Sequence, residues 1–310
     1  MNSNVNQILT EVHKVIVGKD DVLKKILMTL ISRGHVLLDD VPGTGKTTAA
    51  LAFHRALGLK YGRIQFTPDV LPSDIVGFSV YSKESGTFVY QPGAVMTNLL
   101  LADEINRTSS KTQAALLEAM EERQVTVDGV TRPLPAPFAV IATQNPVGSA
   151  GTQLLPQAQL DRFMVRLEMG YPDFESQVNI LRDRQTDDPL DQVREVSSAA
   201  ALLEMQQQAR AVHMDDSLLE YVTRLTEATR THPLVLLGVS PRGALAVCRM
   251  AKSCAFMDGR DYVLPEDVQS VFIDICAHRL FLAPKAKIAD TTAADILIGL
   301  LGQVRRPDHI

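Results

Sequence analysis

The sequence predicts an α/β fold: a mainly parallel sheet sandwiched by helices, followed by an all-α region. Three observations carry this reading. Up to Tyr171-Pro172, short apolar runs alternate with helical stretches, the pattern of parallel strands joined by helical crossovers. One of those runs, Val36-Leu37-Leu38-Asp39, passes through a glycine-containing loop into a helix that opens with Lys46-Thr47. After about residue 173 the pattern becomes nearly all helical. The chain therefore divides into a core, 1–172, and a helical domain, 173–310.

An N-terminal helix is expected from about Asn4 to Val15, and a second from about Asp20 to Arg33 leads into the first strand. The loop after that strand is Asp40-Val41-Pro42-Gly43-Thr44-Gly45. Strand, glycine loop and helix start, in that order, make a phosphate site: backbone N–H groups turn inward as an anion nest and the helix adds its positive dipole end. Pro42, Gly43, Thr44, Gly45, Lys46, Thr47 and Thr48 are the candidate contacts. Lys46 would reach the β- and γ-phosphates and the Thr47 hydroxyl would hold Mg²⁺, so the expected ligand is a nucleoside triphosphate. The P-loop pattern asks for glycine six residues before Lys46, and this chain has Asp40 there. That glycine eases the turn out of the strand, whereas Gly45, Lys46 and Thr47 make the principal contacts. A Gly-Lys-Thr run can also occur in a loop that binds nothing, so the reading needs support elsewhere.

Support comes from two later strands. Asn98-Leu99-Leu100-Leu101-Ala102 ends in Asp103-Glu104. Beside a P-loop, Asp103 would complete the Mg²⁺ shell and Glu104 would polarise the attacking water. The alternative is an ordinary acidic helix start after a buried strand. Phe138-Ala139-Val140-Ile141-Ala142-Thr143-Gln144 ends at Asn145-Pro146. If this strand lies between the other two, Asn145 could touch both the γ-phosphate and the lytic water; it could equally close the strand as an Asn-Pro turn.

These motifs, with Asp-Glu-Ile-Asn-Arg at 103–107, Lys111 to Val127, Thr-Gln-Asn-Pro at 143–146 and Leu-Asp-Arg-Phe at 160–163, resemble the MoxR family of AAA+ ATPases. The likeness runs from Val17-Gly18 to about Arg279. It implies a P-loop AAA+ core followed by a helical lid, with ATP and Mg²⁺ as ligands. It also implies roles: Asn145 as the first sensor, Arg162 as an arginine finger reaching a neighbouring subunit's ATP, and Arg242 as the second sensor, turned from a lid helix onto the phosphates. Val17 and Gly18 correspond to the segment that lies against adenine. Without the family, Arg162 reads as a surface charge paired with Asp161 or a nearby carboxylate, and Arg242 as a solvated residue after a Ser-Pro helix start.

Two insertions interrupt the core. The first, about 67–98, contains short β-like pieces such as Thr87-Phe88-Val89-Tyr90. The second, about 124–134, has strands joined by Asp128-Gly129, a type I′ hairpin signal. They resemble the helix-2 insert and pre-sensor-1 hairpin of the clade that holds the magnesium-chelatase ATPase subunits; otherwise they are surface decoration. In the helical region, helices are expected over about 174–184, 197–210, 216–231, 241–257, 265–276 and 291–303.

Composition narrows the classes. Apolar content of 45% with 22% charge describes a folded globular chain. Cys248, Cys254 and Cys276 make no zinc pattern and read as reduced core residues in a cytoplasmic setting. No segment reaches a membrane span, and the N-terminus lacks the form of a signal peptide. A net charge of −5 without a basic tract argues against a nucleic-acid partner. The resemblance implies a homo-oligomeric ring, most often a hexamer. It further implies a chaperone-like role on a client complex, including metal or cofactor insertion, with a von Willebrand factor A-domain partner. Two other readings stay open: a nucleotide-gated binding module with incidental turnover, and a DNA-remodelling motor.

Overall fold

A computed structural model describes residues 2–145, 155–185 and 188–307. Pro146, the last residue of the third strand motif, lies outside the described residues.

The chain opens with helices α1 (Ser3–His13) and α2 (Asp20–Ile31). Both end slightly before the ranges expected from sequence. In α2 the reason is local: Arg33 adopts φ 60, and the Gly34 N–H turns back to the Thr29 carbonyl. Strand β1 (Val36–Asp39) runs into α3 (Lys46–Ala56), and β2 (Tyr61–Gln65) follows. The first insertion folds as a short helix, α4 (Pro72–Val76), and an antiparallel hairpin of β3 (Gly77–Ser82) and β4 (Thr87–Pro92). Next come β5 (Leu99–Asp103) and α5 (Ser110–Glu122). The second insertion is the hairpin of β6 (Gln124–Val127) and β7 (Val130–Pro133). Its turn residues Asp128 and Gly129 both have positive φ, as a type I′ link requires. Strand β8 (Ala139–Gln144), the short helix α6 (Gln157–Leu160) and β9 (Val165–Leu167) complete the core.

The five long-range strands pair in the order β2-β5-β8-β1-β9, all parallel. Strand β8 therefore does lie between β1 and β5, the condition on which the reading of Asn145 depended. Alternate residues of each strand enter different clusters. Val36, Leu38, Leu99, Leu101 and Ile141 pack on one face with α1, α2 and α3, and Leu37, Leu100, Val140 and Ala142 pack on the other with α5. A sheet covered on both sides explains why β1 and β5 are apolar at nearly every position. Each such aliphatic side chain contributes about 1.5–3 kcal/mol by leaving water. Because the strands are parallel, Asp39, Asp103 and Gln144 end at one edge of the sheet, where ligands of such sheets sit.

The C-terminal region holds α7 (Phe174–Asp183), α8 (Ala199–Ala211), α9 (Asp216–Thr231), β10 (Val235–Leu237), α10 (Pro241–Met257), α11 (Pro265–Cys276), β11 (Phe281–Leu282), α12 (Pro284–Ile288) and α13 (Ala293–Gln303). Side-chain caps set several starts: Asp173, Ser198, Asp215 and Ser240 each accept a backbone N–H from the first turn of α7, α8, α9 and α10. Helices α8 and α10 pack on α2, and α11 packs on α10 and β9, all within the same apolar cluster as α1 to α3, so the helical region is seated on one face of the core. All three cysteines lie on helices of this region; Cys254 and Cys276 are buried and Cys248 half-buried.

Candidate active site

A cleft of about 410 Å³ opens at the carboxyl edge of the sheet. Pro42, Gly43, Thr44, Gly45, Lys46, Thr47 and Thr48 all line it, with Asp103, Glu104, Asn145 and Val17. Gly18, expected beside them, does not. It has φ +72 and packs against α7, where an added Cβ would stand 2.2 Å from Ser176 Oγ; its absent side chain lets the Val17 segment close over the helical region.

The loop has the form of an anion cradle. Gly43 and Gly45 take φ 88 and 89, and the space beside Gly43 is open. Lys46 is buried, and among the described residues its Nζ donates only to the backbone carbonyls of Asp40, Val41 and Gln144. Burial pulls this ammonium below the usual lysine range, while the carboxylates of Asp40, Asp39, Asp103 and Glu104 act in the opposite direction. A buried cation with no direct carboxylate partner suits a phosphate.

Asp40, the departure from the P-loop pattern, has a structural role. One carboxylate oxygen accepts the Val41 N–H at 2.7 Å and the other accepts the Gly170 N–H beyond β9. Its backbone φ is not positive, so no glycine is required there. Asp40 thus ties the phosphate loop to the segment that leads into the helical region. Sequence could not reveal this, because Gly170 is 130 residues away.

The carboxylates form one network. Asp103 Oδ1 accepts the Thr143 hydroxyl at 2.7 Å, and the same hydroxyl oxygen accepts the Glu104 N–H at 2.9 Å. This holds Glu104 in a left-handed conformation, φ 56, that aims its side chain into the cleft. Asn145 Nδ2 donates to Glu104 Oε1 at 2.8 Å. Gln65 and Arg107 donate to Oε2 at 2.9 and 2.7 Å. Partial burial pushes the Glu104 carboxyl up, but the hydrogen bonds from Arg107, Asn145 and Gln65 and the Arg107 charge prevail and hold it below the usual range. Arg63 pairs with Asp103 Oδ2 at 2.8 Å. Sequence reasoning missed Arg63, Gln65 and Thr143. The first two sit on β2, whose register sets Gln65 opposite Asp103.

The two predicted arginines are elsewhere. Arg162 and Arg242 line a separate pocket of about 400 Å³ with Glu121 and Asp161. Both bind the same carboxylate: Arg242 contacts Glu121 Oε1, and Arg162 Nε stands 3.3 Å from Oε2 without hydrogen-bond geometry. Arg242 therefore does not reach the phosphate cleft of its own chain. The reason is the seating of α10, which starts beside the carboxyl end of α5 and not over the loop; Asp161 takes Arg279, with Arg242 3.9 Å away.

Similar proteins agree with this layout. Residues 35–165 match the family described as "ATPase family associated with various cellular activities (AAA)", and residues 227–297 match an AAA lid domain. The chaperone MoxR1 of Mycobacterium tuberculosis is 42% identical over 93% of this chain and 78% of its own length. The chain belongs to the MoxR family of AAA+ ATPases. An uncharacterised relative from Bacillus subtilis, YeaC, is 46% identical over 96% of this chain and 92% of its own. A solved structure from Cytophaga hutchinsonii, of a candidate ATPase, is 38% identical with a TM-score of 0.91, covering 98% of this chain and 95% of that one. The architecture is accordingly an AAA+ core with a helical lid. No described helix is long and apolar enough to cross a membrane.

Proposed function

We propose that this MoxR-family chain hydrolyses ATP at the interface between subunits of a ring and uses the cycle to remodel a client protein complex. The observation that carries the reading is the split of the machinery. The phosphate loop and the Glu104–Asn145 pair share one cleft, whereas Arg162 and Arg242 lie together in another. A single chain has half a site on each of two faces.

In this reading the loop N–H groups and Lys46 bind the triphosphate, and Val15, Ile16 and Val17 provide the apolar wall of the cleft. Thr47 and Asp103, hard oxygen donors on the same cleft, would hold Mg²⁺. When bound, that ion neutralises charge building on the phosphates. Glu104, kept ionised, accepts a hydrogen bond from the attacking water, and Asn145 fixes the carboxylate that does so. Arg162 and Arg242 of the adjacent subunit exchange Glu121 for the neighbour's phosphates. The poor geometry of the Arg162–Glu121 contact supports such an exchange. The two insertions, one carrying Phe88 at 74% exposure, would face the client. The family's habit of working with a von Willebrand factor A-domain partner extends to this chain as part of the proposal.

A second reading, a nucleotide-gated module with incidental turnover, draws on one observation: Arg107, Gln65 and Asn145 already occupy both oxygens of Glu104. Phosphate release from ATP, with and without Mg²⁺, tests the first. It expects Mg²⁺-dependent release that Lys46→Ala abolishes; release unchanged by Lys46→Ala would end it.

A further inference from the structure

A third pocket, of about 490 Å³, lies where the end of α2 and the end of α5 meet α8 and α10. Five cations line it: Arg33, Arg123, Arg210, Arg249 and Lys252. Among the described residues no carboxylate lines it, and none of the five is paired with one. Arg123 donates to the Arg33 carbonyl at 2.7 Å and Lys252 lies 3.4 Å from the Arg210 carbonyl, so both spend donors on backbone. This contrasts with Arg55, Arg63, Arg107, Arg166, Arg224 and Arg260, each of which meets an Asp or Glu. In a chain with a net charge of −5, five unneutralised cations around one hollow are held together against their mutual repulsion. Arg123 registers that repulsion: burial, then the charges of Arg33 and Arg249, pull its guanidinium below the usual arginine range.

We infer that this pocket binds a small, multiply phosphorylated anion that bridges core and lid. Guanidinium forks match phosphate oxygens in pairs, and the hollow is comparable in volume to the triphosphate cleft. Gln206, Ser32 and Ser253 add polar side chains to its wall. The ligand would contact Arg33 and Arg123 from the core together with Arg210, Arg249 and Lys252 from the lid helices, so its occupancy would stiffen the lid on the core. The pocket adjoins the Arg162–Arg242 face and shares Arg33, Arg123 and Arg249 with it. Glu121 and Asp161, the carboxylates of that neighbouring pocket, are already taken up by Arg162, Arg242 and Arg279.

The test is calorimetric titration of inorganic tripolyphosphate into Lys46→Ala protein, which removes the phosphate loop as a competing site. We expect saturable binding that weakens with salt and falls at least about tenfold in Arg249→Glu, an exposed position where misfolding is no concern. Arg123→Gln should weaken it similarly, whereas Arg242→Ala should leave it within about threefold, because Arg242 lies outside the pocket. Absence of saturable binding would overturn the inference. Binding untouched by Arg249→Glu, or lost in Arg242→Ala, would also overturn it by moving the anion to another face. An acidic segment of a protein partner is the rival occupant, and it would show as no tripolyphosphate binding at all.

Discussion

Asn145, at the tip of β8, donates its side-chain amide to Oε1 of Glu104, at the tip of β5, at 2.8 Å. The contact exists because β8 and β5 are adjacent and in register, Ala102 opposite Ala142. It leaves Glu104 ionised and fixed while the cleft stays open to a phosphate. Glu104→Gln keeps the shape and most of the packing but removes the charge that, in the proposed mechanism, orients water. Turnover is expected to fall by about 10²-fold or more, with ATP affinity little changed. Steady-state phosphate release beside equilibrium nucleotide binding checks this; normal turnover would remove Glu104 from its role.

The Asp40 carboxylate supplies a second expectation. Asp40→Gly restores the glycine usual in the loop, yet deletes acceptors for the Val41 and Gly170 N–H groups. The variant should lose about 1–2 kcal/mol of stability, a drop of several degrees in Tm, and bind ATP more weakly. A variant as stable as the parent and equal in affinity would show that the latch contributes nothing.

Acid should destabilise the core through His35. Its Nδ1 accepts the Val140 N–H at 3.0 Å and its Nε2 faces the Met120 carbonyl at 3.1 Å, an arrangement that needs the neutral ring. Burial, then the Arg123 charge, pushes its pKa down from 6.5 to about 3. Between those values the unfolded chain binds a proton that the folded chain refuses. Stability is therefore full above 6.5 and falls as pH drops toward 3, by up to about 1.4 kcal/mol per pH unit. His278, fully buried and also held well below its usual range, steepens the loss. Urea unfolding at several pH values should show the slope, and His35→Gln, though less stable at neutral pH, should flatten it. An equal slope in that variant would assign the acid sensitivity to other groups.

Arg162 and Arg242 share Glu121 in one chain, which frames the mixing experiment. Arg162→Ala should bind ATP normally while turnover falls by about 10³-fold or more, by analogy with fingers acting in trans. An ordinary surface ion pair would account for only about 1 kcal/mol. Mixed with Lys46→Ala, the variant should recover part of the activity, since some interfaces then pair an intact loop with an intact finger. Failure to recover at every ratio would argue against action in trans.

Much of the site was legible in the sequence because its parts are local. A strand, a glycine loop and Lys46-Thr47 are contiguous, and Asp103, Glu104 and Asn145 stand at strand ends that parallel pairing brings to one edge. What could not be read depends on side chains meeting across long separations. Asp40 finds Gly170, Thr143 bridges Asp103 and Glu104, and Gln65 finds Glu104 only through the β2–β5 register. The expectation that Arg242 would turn onto the phosphates failed within one chain because no local signal reports where α10 docks. The five cations of the third pocket come from four separate elements and carry no pattern along the chain.

The most direct test of the shared site is the specific ATPase rate against protein concentration, with molecular mass recorded in ATP and without it. The rate per chain should climb as the ring assembles, because in the proposed function Arg162 and Lys46 complete each other only across an interface. A flat rate from a persistent monomer would contradict it and leave the nucleotide-gated module as the reading to pursue.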